Sequence, residues 1–218
     1  MSKTKTIVFD FDGVISDSYD LALEVYRLSR PSMTPERFEK LWDGNITKAK
    51  FEDKEINKID FFKEIDIRYK KLGISSEVKT GIKKLNQEFQ LFIISSSSNT
   101  TIKYYLTKHS ILDLFTEIYG YETHKLKDVK FKMLFDKYNL NPDEVIFVTD
   151  TSGDVYEAKK ARIKNIIGIL GFQKYNSLKK SKPMTIVNNF SELTDYLFKK
   201  YSNIIQHRDK RLQKSSLN

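Results

Sequence analysis

The strongest constraint on the fold is an alternation of short apolar runs with segments of helical periodicity. Runs rich in Val, Ile and Phe begin with KTIVF at residues 5–9 and recur as QLFII at 90–94, VIFVT at 145–149 and NIIGI at 165–169. Runs this short and this apolar are typical of strands buried on both faces. The segments between them have apolar residues three and four apart, as helices do. The pattern predicts a doubly wound α/β fold with a parallel sheet covered on both faces.

One long segment breaks this alternation. Residues 18–72 have a helical pattern, and Thr34-Pro35 has the form of a helix start, a capping threonine followed by proline. We therefore predict an α/β core over residues 1–16 and 74–200, a helical cap insert over 17–73 and a C-terminal tail over 201–218. Within the core, the same periodicities predict further strands at 117–121 and 185–187 and helices over 75–87, 100–109, 129–138, 154–162 and 191–200.

Composition excludes several kinds of site. The chain has no cysteine, so it can have no disulfide framework, no thiolate metal site and no catalytic cysteine. Its first residues, MSKTKTIVFDFDG, lack the apolar stretch of a signal peptide, and no run approaches the ~20 apolar residues of a membrane span. We therefore expect a soluble, cytoplasmic protein.

The positive charge is concentrated at the C-terminus. The formal net charge is +9, and residues 198–218 contain six Lys or Arg against one Asp. We interpret this segment as a solvated terminus, with a contact to nucleic acid or to a membrane surface as the alternative. The sequence leaves the oligomeric state open.

Polar residues follow the strands at the edge where parallel strands end, which is where such sheets bind ligands. Carboxylates, a hydroxyl and a lysine at this edge suit phosphoryl transfer through a hard cation. The residues are Asp10, Asp12 and Gly13 after the first strand, Ser95 and Ser96 after the second, Lys125, Lys127 and Lys130 in a later loop, and Asp150 and Asp154 after the strand at 145–149.

Three of these segments resemble motifs of the haloacid dehalogenase superfamily. They are Asp10-Phe11-Asp12-Gly13, the Ser95 that ends LFIIS, and the aspartate pair of VTDTSGD, Asp150 and Asp154. The resemblance extends over residues 5–195 and implies a Rossmann-like core with a small helical cap. It also implies an Mg²⁺-dependent phosphatase that hydrolyses a small phosphorylated metabolite.

The resemblance implies a role for each matching residue. Asp10 is expected to be the nucleophile that forms an aspartyl-phosphate, and Asp12 the general acid and then the general base. Mg²⁺ is expected to bind the Asp10 carboxylate, the Asp12 backbone carbonyl and Asp150, with Asp154 supporting it directly or through water. Ser95 carries the hydroxyl of the second motif.

The lysine of the site is ambiguous, because the loop HKLKDVKFK lacks the proline that commonly follows it in the family. Asp128 has the side chain of a good N-cap for the helix at 129–138, which favours Lys127 over Lys125. Lys130, in the first helical turn, is the competitor. We expect two of the three lysines to lie on a solvated face.

Substrate contacts are expected from the polar loops and from the insert. Ser96 and Gly13 are candidates beside the phosphate, and Gly44, Asn45 and Lys48 are candidates from the insert. Trp42 is interpreted as a core aromatic. The three histidines have no metal-ligand spacing, and we interpret them as surface or packing residues; they are His109, His124 and His207.

Three other functions fit the same residues. A phosphomutase of the same fold would return the phosphoryl group to a substrate, and a nucleic-acid end-processing phosphatase would use the basic tail. A non-catalytic phosphate switch is less favoured, because its acceptor aspartate would end a middle strand, where this chain has Ser95. Since related motifs serve sugar phosphates, nucleotides and glycolate phosphate, the motifs do not select one ester.

Overall fold

The computed structural model describes residues 5–49 and 57–201. In this part of the chain, six strands form one parallel sheet with the order β3-β2-β1-β4-β5-β6. The strands are β1 (Lys5–Phe9), β2 (Phe89–Ile94), β3 (Glu117–Tyr119), β4 (Val145–Thr149), β5 (Asn165–Ile169) and β6 (Thr185–Val187).

Helices connect the strands and also form the insert. The insert contains α1 (Tyr19–Ser29), α2 (Pro35–Leu41) and α3 (Phe61–Tyr69). The core contains α4 (Ser76–Glu88), α5 (Asn99–Lys108), α6 (Lys127–Tyr138), α7 (Ser152–Lys160), α8 (Tyr175–Lys180) and a last helix, α9, over the described residues 190–201. Short 3₁₀ turns lie at Ile46–Lys48, Leu112–Leu114 and Pro142–Glu144. None of the described helices is long and apolar enough to cross a bilayer.

The sheet has a reversal point at β1. This strand pairs with β2 on one side and with β4 on the other. The chain builds one half of the sheet outward from β1 and then returns to build the other half. In open α/β sheets the crevice at such a reversal binds ligands. A ligand-binding site is therefore expected at the carboxyl ends of β1 and β4.

Both faces of the sheet are buried. Ile7 and Phe9 of β1 belong to one apolar cluster, and Val8 belongs to another. Because successive residues of a strand point to opposite faces, this division buries β1 on both sides. The prediction of a doubly wound parallel α/β fold is confirmed.

The start of α6 differs from the prediction. This helix begins at Lys127, and its N-cap is Leu126, which makes no side-chain capping hydrogen bond. The prediction of Asp128 as the N-cap is therefore wrong. A tertiary contact accompanies this start: the Glu157 carboxylate accepts the Lys127 N–H at 3.3 Å, one of the first-turn donors that have no partner within the helix.

The insert packs directly on the core. Met33 and Phe38 share an apolar cluster with Phe172 of the core. The predicted helical pattern is interrupted, since α3 begins only at Phe61. Part of the predicted segment, residues 50–56, lies outside the described residues, as does the predicted tail except for Tyr201. The domain boundaries stay predictions.

Candidate active site

A cleft lies at the carboxyl ends of β1, β2 and β4, beneath the helices of the insert. Its floor is polar and is formed by the loops that follow these strands together with the first turns of α6 and α7. The polar floor consists of Asp10, Asp12, Ser95, Ser96, Ser97, Ser98, Lys127, Asp150, Thr151, Asp154 and Glu157. The topology therefore brings together seven of the residues predicted at this sheet edge, whereas Gly13, Lys125 and Lys130 do not line the cleft.

Asp10 is held in a fixed position at the end of β1. Its backbone N–H donates to the Val148 carbonyl of β4 at 2.8 Å. Its Oδ1 accepts the Phe11 N–H at 2.7 Å and pairs with Lys127 Nζ at 2.8 Å. Burial raises the pKa of Asp10 well above its ordinary value, and the nearby Lys127 charge opposes that rise.

Lys127 connects two carboxylates. Its Nζ lies 2.8 Å from Asp10 Oδ1 and 2.5 Å from Asp154 Oδ2, and its side chain is buried. Burial alone would lower the pKa of Lys127, but Asp10 and Asp154 raise it above its usual value. Asp154 Oδ2 also accepts the Thr149 hydroxyl at 3.0 Å. Burial would raise the pKa of Asp154, but Lys127 lowers it, so the pair is held charged.

Within the described part of the chain, one carboxylate oxygen of Asp150 accepts a hydrogen bond and the other does not. Oδ2 accepts the Phe172 N–H at 2.6 Å, while Oδ1 is buried with no hydrogen bond from the described residues. Burial raises the pKa of Asp150 to about 8. Gly13 makes this packing possible, because its φ is +72° and a Cβ there would lie 1.9 Å from Asp150 Oδ2. Gly13 itself does not line the cleft.

The carboxylates around Asp150 fit a hard cation. Asp10, Asp150 and Asp154 supply only oxygen donors, which Mg²⁺ prefers. A buried anionic oxygen without a hydrogen bond is costly, and a cation would satisfy Asp150 Oδ1. In the described ranges no three ligating side chains already converge on one point. The fit therefore rests on the orphaned oxygen and on the chemistry of its neighbours.

Asp12 is surrounded by hydroxyl groups. Its Oδ1 accepts from Ser18 Oγ at 2.7 Å and from the Tyr69 hydroxyl, and its Oδ2 accepts from Ser97 Oγ at 2.6 Å. Burial and the Asp12 charge raise the pKa of Tyr69 well above its usual value, so Tyr69 stays a neutral donor. A hydroxyl can also accept a hydrogen bond. This shell can therefore satisfy Asp12 both with and without a proton.

Ser95 and Ser96 follow β2 and both line the cleft. Ser95 is fully buried, and its Oγ accepts the Ser97 N–H at 3.0 Å. Its carbonyl accepts from Lys130 Nζ at 2.5 Å. Burial, together with repulsion from Lys127, lowers the pKa of Lys130 to about 7. Lys130 thus contacts the main chain of the site, whereas Lys127 contacts its carboxylates.

The expectation that two of the three lysines are solvated is wrong. Lys127 and Lys130 are 2% and 0% exposed, and Lys125 alone of the three is exposed. The physical reason is the early start of α6. Lys127 and Lys130 are three residues apart on this helix and so share the face that packs against the site.

The insert contributes unequally to the cleft. Asn45 lines it, and Asn45 Nδ2 donates to Glu157 Oε2 at 2.8 Å. Gly44 also lines the cleft, and Trp42 lies in its wall while packing on Phe172, with 5.1 Å between ring centroids. Lys48 is exposed and lies outside the cleft, so the expectation for this residue is wrong.

Neither of the two described histidines lines the cleft. His109 packs on Tyr105 with 4.5 Å between ring centroids, and His124 is exposed, both as expected. His207 lies outside the described residues.

Sequence reasoning missed three residues that contact the site. Ser18 and Tyr69 donate to Asp12, and Glu157 accepts from the insert. Glu157 could have been predicted from the sequence, because it lies three residues after Asp154 and so on the same helix face. Tyr69 could not have been predicted from the sequence, since only the fold brings the end of α3 to the loop after β1.

Comparisons with known proteins agree with this geometry. A family model described as haloacid dehalogenase-like hydrolase matches residues 7–167. A phosphoglycolate phosphatase of Psychrobacter arcticus is 25% identical over 221 residues, which cover 89% of this chain and 96% of the relative. A phosphoglycolate phosphatase of Vibrio vulnificus is 24% identical over 219 residues, which cover 88% of this chain and 95% of the relative.

Solved structures show the same fold. A hydrolase from Pseudomonas syringae superposes with a TM-score of 0.71 at 15% identity, covering 89% of this chain and 98% of the other. CbbY from Rhodobacter sphaeroides, solved in complex with phosphate, gives a TM-score of 0.69 at 13% identity, covering 87% of this chain and 96% of the other.

Proposed function

The chain belongs to the haloacid dehalogenase-like hydrolase family, and from this premise we propose that it is an Mg²⁺-dependent phosphatase acting on a small phosphate monoester. It is a phosphoric monoester hydrolase of this family type, and its relatives named phosphoglycolate phosphatases support a small ester. One observation carries the proposal most directly: Asp10 is fixed beside Lys127 in a cleft where Asp150 Oδ1 has no hydrogen-bond partner among the described residues.

In the first step, Asp10 attacks the phosphorus atom of the ester. The P–O bond to the leaving alcohol breaks, and the alkoxide takes a proton from Asp12. Ser97 and Tyr69 remain hydrogen-bonded to Asp12 during this transfer, because each hydroxyl can reverse its direction. Lys127 limits the repulsion between the carboxylates and the dianionic phosphate.

In the second step, water hydrolyses the aspartyl-phosphate. Asp12, now a carboxylate, takes a proton from that water, whose oxygen bonds to phosphorus as the bond to Asp10 breaks. The products are inorganic phosphate and a restored Asp10. The Ser95 hydroxyl lies at the end of β2 in the cleft and donates a hydrogen bond to a phosphoryl oxygen of the bound ester.

Mg²⁺ would be held by Asp10, Asp150 and Asp154, and when bound it supplies positive charge that offsets the charge of the phosphate. The Asp12 backbone carbonyl is a further candidate ligand. The Phe172 N–H fixes Asp150 Oδ2, which leaves Oδ1 for the cation.

The test is hydrolysis of several phosphate monoesters with Mg²⁺ by the wild type and by Asp10→Asn. We expect the variant to lose about 10³-fold or more in kcat, because the nucleophile is removed while the size of the side chain is kept. Asp17→Asn, an exposed aspartate in the same loop, is the control and should keep full activity.

A second measurement tests the covalent step. In Asp12→Asn the intermediate should form with an activated ester and then persist, because the base for its hydrolysis is absent. Mass spectrometry after an acid quench should find a phosphoryl group on the peptide that contains Asp10. If no ester is hydrolysed above the Asp10→Asn background, the proposed function is wrong.

A further inference from the structure

The cleft has an apolar wall opposite its polar floor. Five aromatic side chains form most of this wall: Tyr26, Trp42, Phe61, Phe62 and Phe172. They contact one another edge to face, with ring centroids 5.1 Å apart for Trp42 and Phe172 and 5.2 Å apart for Tyr26 and Phe61. Such contacts fix the rings before any ligand binds. The leaving group of an ester that binds at the floor would lie against this wall.

The positive charge that lines the cleft is already paired with carboxylates. Lys127 is the only Lys or Arg among the described residues that line it, and both Asp10 and Asp154 already bind its Nζ. The lining carboxylates outnumber it five to one; they are Asp10, Asp12, Asp150, Asp154 and Glu157. A carboxylate on the leaving group would lose its water against aromatic rings and find no described cation beside it. An uncharged ring would instead displace water from apolar surface.

The Trp42 ring of this wall makes no hydrogen bond through its indole N–H to the described residues, and its Nε1 is buried. Among the described residues the Trp42 ring is therefore held by its aromatic contacts and not by a hydrogen bond of its indole N–H.

On the basis of the proposed function, we propose that the substrate is a phosphate monoester of an uncharged alcohol that carries an aromatic ring, in contrast to the carboxylate of phosphoglycolate. The polar floor binds the phosphate, and the aromatic wall binds the ring. Phe62 and Trp42 are the specificity-determining residues, because they belong to the wall and make no contact with the polar floor in the hydrogen bonds described.

The test is kcat/KM for two matched pairs of esters with Mg²⁺. Benzyl phosphate and 4-carboxybenzyl phosphate differ by one charge on the same ring, and 2-hydroxyethyl phosphate and 2-phosphoglycolate differ by one charge on a small chain. We expect each uncharged ester to exceed its charged partner by about 10-fold or more, and benzyl phosphate to exceed 2-hydroxyethyl phosphate by a similar factor.

Variants connect this preference to the wall. Phe62→Ala should lower kcat/KM for benzyl phosphate more than for 2-hydroxyethyl phosphate, and Phe62 is 38% exposed, so the fold should tolerate the change. Tyr104→Ala removes a similarly exposed ring on α5, away from the cleft, and should leave both values unchanged. Ile46→Arg, or Phe62→Arg if the first variant does not fold, should raise turnover of the two carboxylate esters.

The outcomes separate this inference from its premise. If the charged member of either pair is turned over as fast as its uncharged partner, the inference is wrong while the proposed function stands. Equal losses for both uncharged esters in Phe62→Ala would also overturn it. If none of the four esters is hydrolysed above the Asp10→Asn background, the proposed function fails and the inference fails with it.

Discussion

At the scale of single residues, the site depends on how buried charges are divided between two lysines. Lys127 carries its charge permanently, because Asp10 and Asp154 both contact its Nζ. Lys130 is equally buried but contacts only a backbone carbonyl, that of Ser95, in the hydrogen bonds described. Two lysines one turn apart on α6 therefore have opposite electrostatic behaviour, one with a raised pKa and one with a lowered pKa.

Lys130 should make stability depend on pH. Its pKa is about 7 in the folded chain, because burial disfavours its charge, against an ordinary value of 10.5. Between these values the unfolded chain binds a proton that the folded chain does not, so raising the pH favours folding. The free energy of unfolding of the wild type, minus that of Lys130→Met, should rise between pH 7 and pH 9 by at most about 1.4 kcal/mol per pH unit.

Urea unfolding at pH 6, 7, 8 and 9 measures this difference. Below pH 7, Lys130 is protonated in both the folded and the unfolded wild type. The difference in free energy of unfolding between wild type and Lys130→Met should therefore not change with pH in that range. Lys132→Met, an exposed lysine of the same helix, should give a difference that does not change with pH. A flat profile for Lys130→Met across the whole range would contradict the lowered pKa.

At the scale of elements, α3 of the insert acts on the core through its last residue. Tyr69 is buried, stacks on Phe11 with 5.7 Å between ring centroids, and donates its hydroxyl to Asp12. Tyr69→Phe keeps the ring and removes the donor. We expect kcat to fall about 10- to 100-fold with little change in KM, since a hydrogen bond to a charged group is worth about 1.5–3 kcal/mol.

A pH–rate profile distinguishes positioning from a purely structural role. If Tyr69 positions Asp12 for its two proton transfers, the loss of the hydroxyl should change the pH dependence of kcat as well as its magnitude. Tyr104→Phe, an exposed tyrosine on α5, serves as the control. A lower kcat with an unshifted profile would assign Tyr69 a packing role only.

The contact between the insert and α7 depends on a glycine. The Gly153 N–H donates to the Trp42 carbonyl at 2.9 Å, and a Cβ on Gly153 would lie 2.2 Å from the Gly44 carbonyl oxygen. Because that oxygen belongs to the backbone, Gly153→Ala must push the insert away. We expect a loss of about 1–3 kcal/mol in stability and a raised KM.

Gly44→Ala is the matched control, since a Cβ on Gly44 would meet no atom within 4 Å. Gly153→Ala should have a lower melting temperature and a higher KM than Gly44→Ala. Equal behaviour of Gly153→Ala and Gly44→Ala would show that the close approach is unimportant.

Local pattern was enough to predict the core elements and most of the polar floor. The predicted strands at 5–9, 145–149 and 165–169 agree with β1, β4 and β5. Strands buried on both faces of a parallel sheet consist of nearly continuous apolar residues, so the sequence pattern identifies them. No local sequence pattern predicted the contacts between the insert and the core. Asn45 and Glu157 are 112 residues apart in the chain, and such partners become visible only in the folded structure.

At the scale of the whole molecule, topology decides which carboxylates meet. β1 and β4 are separated by more than a hundred residues yet pair directly, with Phe9 opposite Val148. Asp10 and Asp150 each follow one of these strands, so the reversal of strand order places both at one crevice. The same arrangement buries them, which raises the pKa of each. A folded chain with these carboxylates close together should therefore be stabilised by a cation.

Binding of Mg²⁺ should accordingly raise the thermal stability of the whole chain. A ligand that binds only the folded state stabilises it by about 2.7 kcal/mol at a concentration 100-fold above its dissociation constant. The wild type should show a melting temperature that rises with Mg²⁺ concentration, without any substrate present. Asp150→Ala should lose this response, because Asp150 Oδ1 is the buried oxygen that lacks another partner among the described residues. Asp136→Ala, an exposed aspartate on α6, should keep it, and an equal response in Asp150→Ala would exclude Asp150 as a ligand.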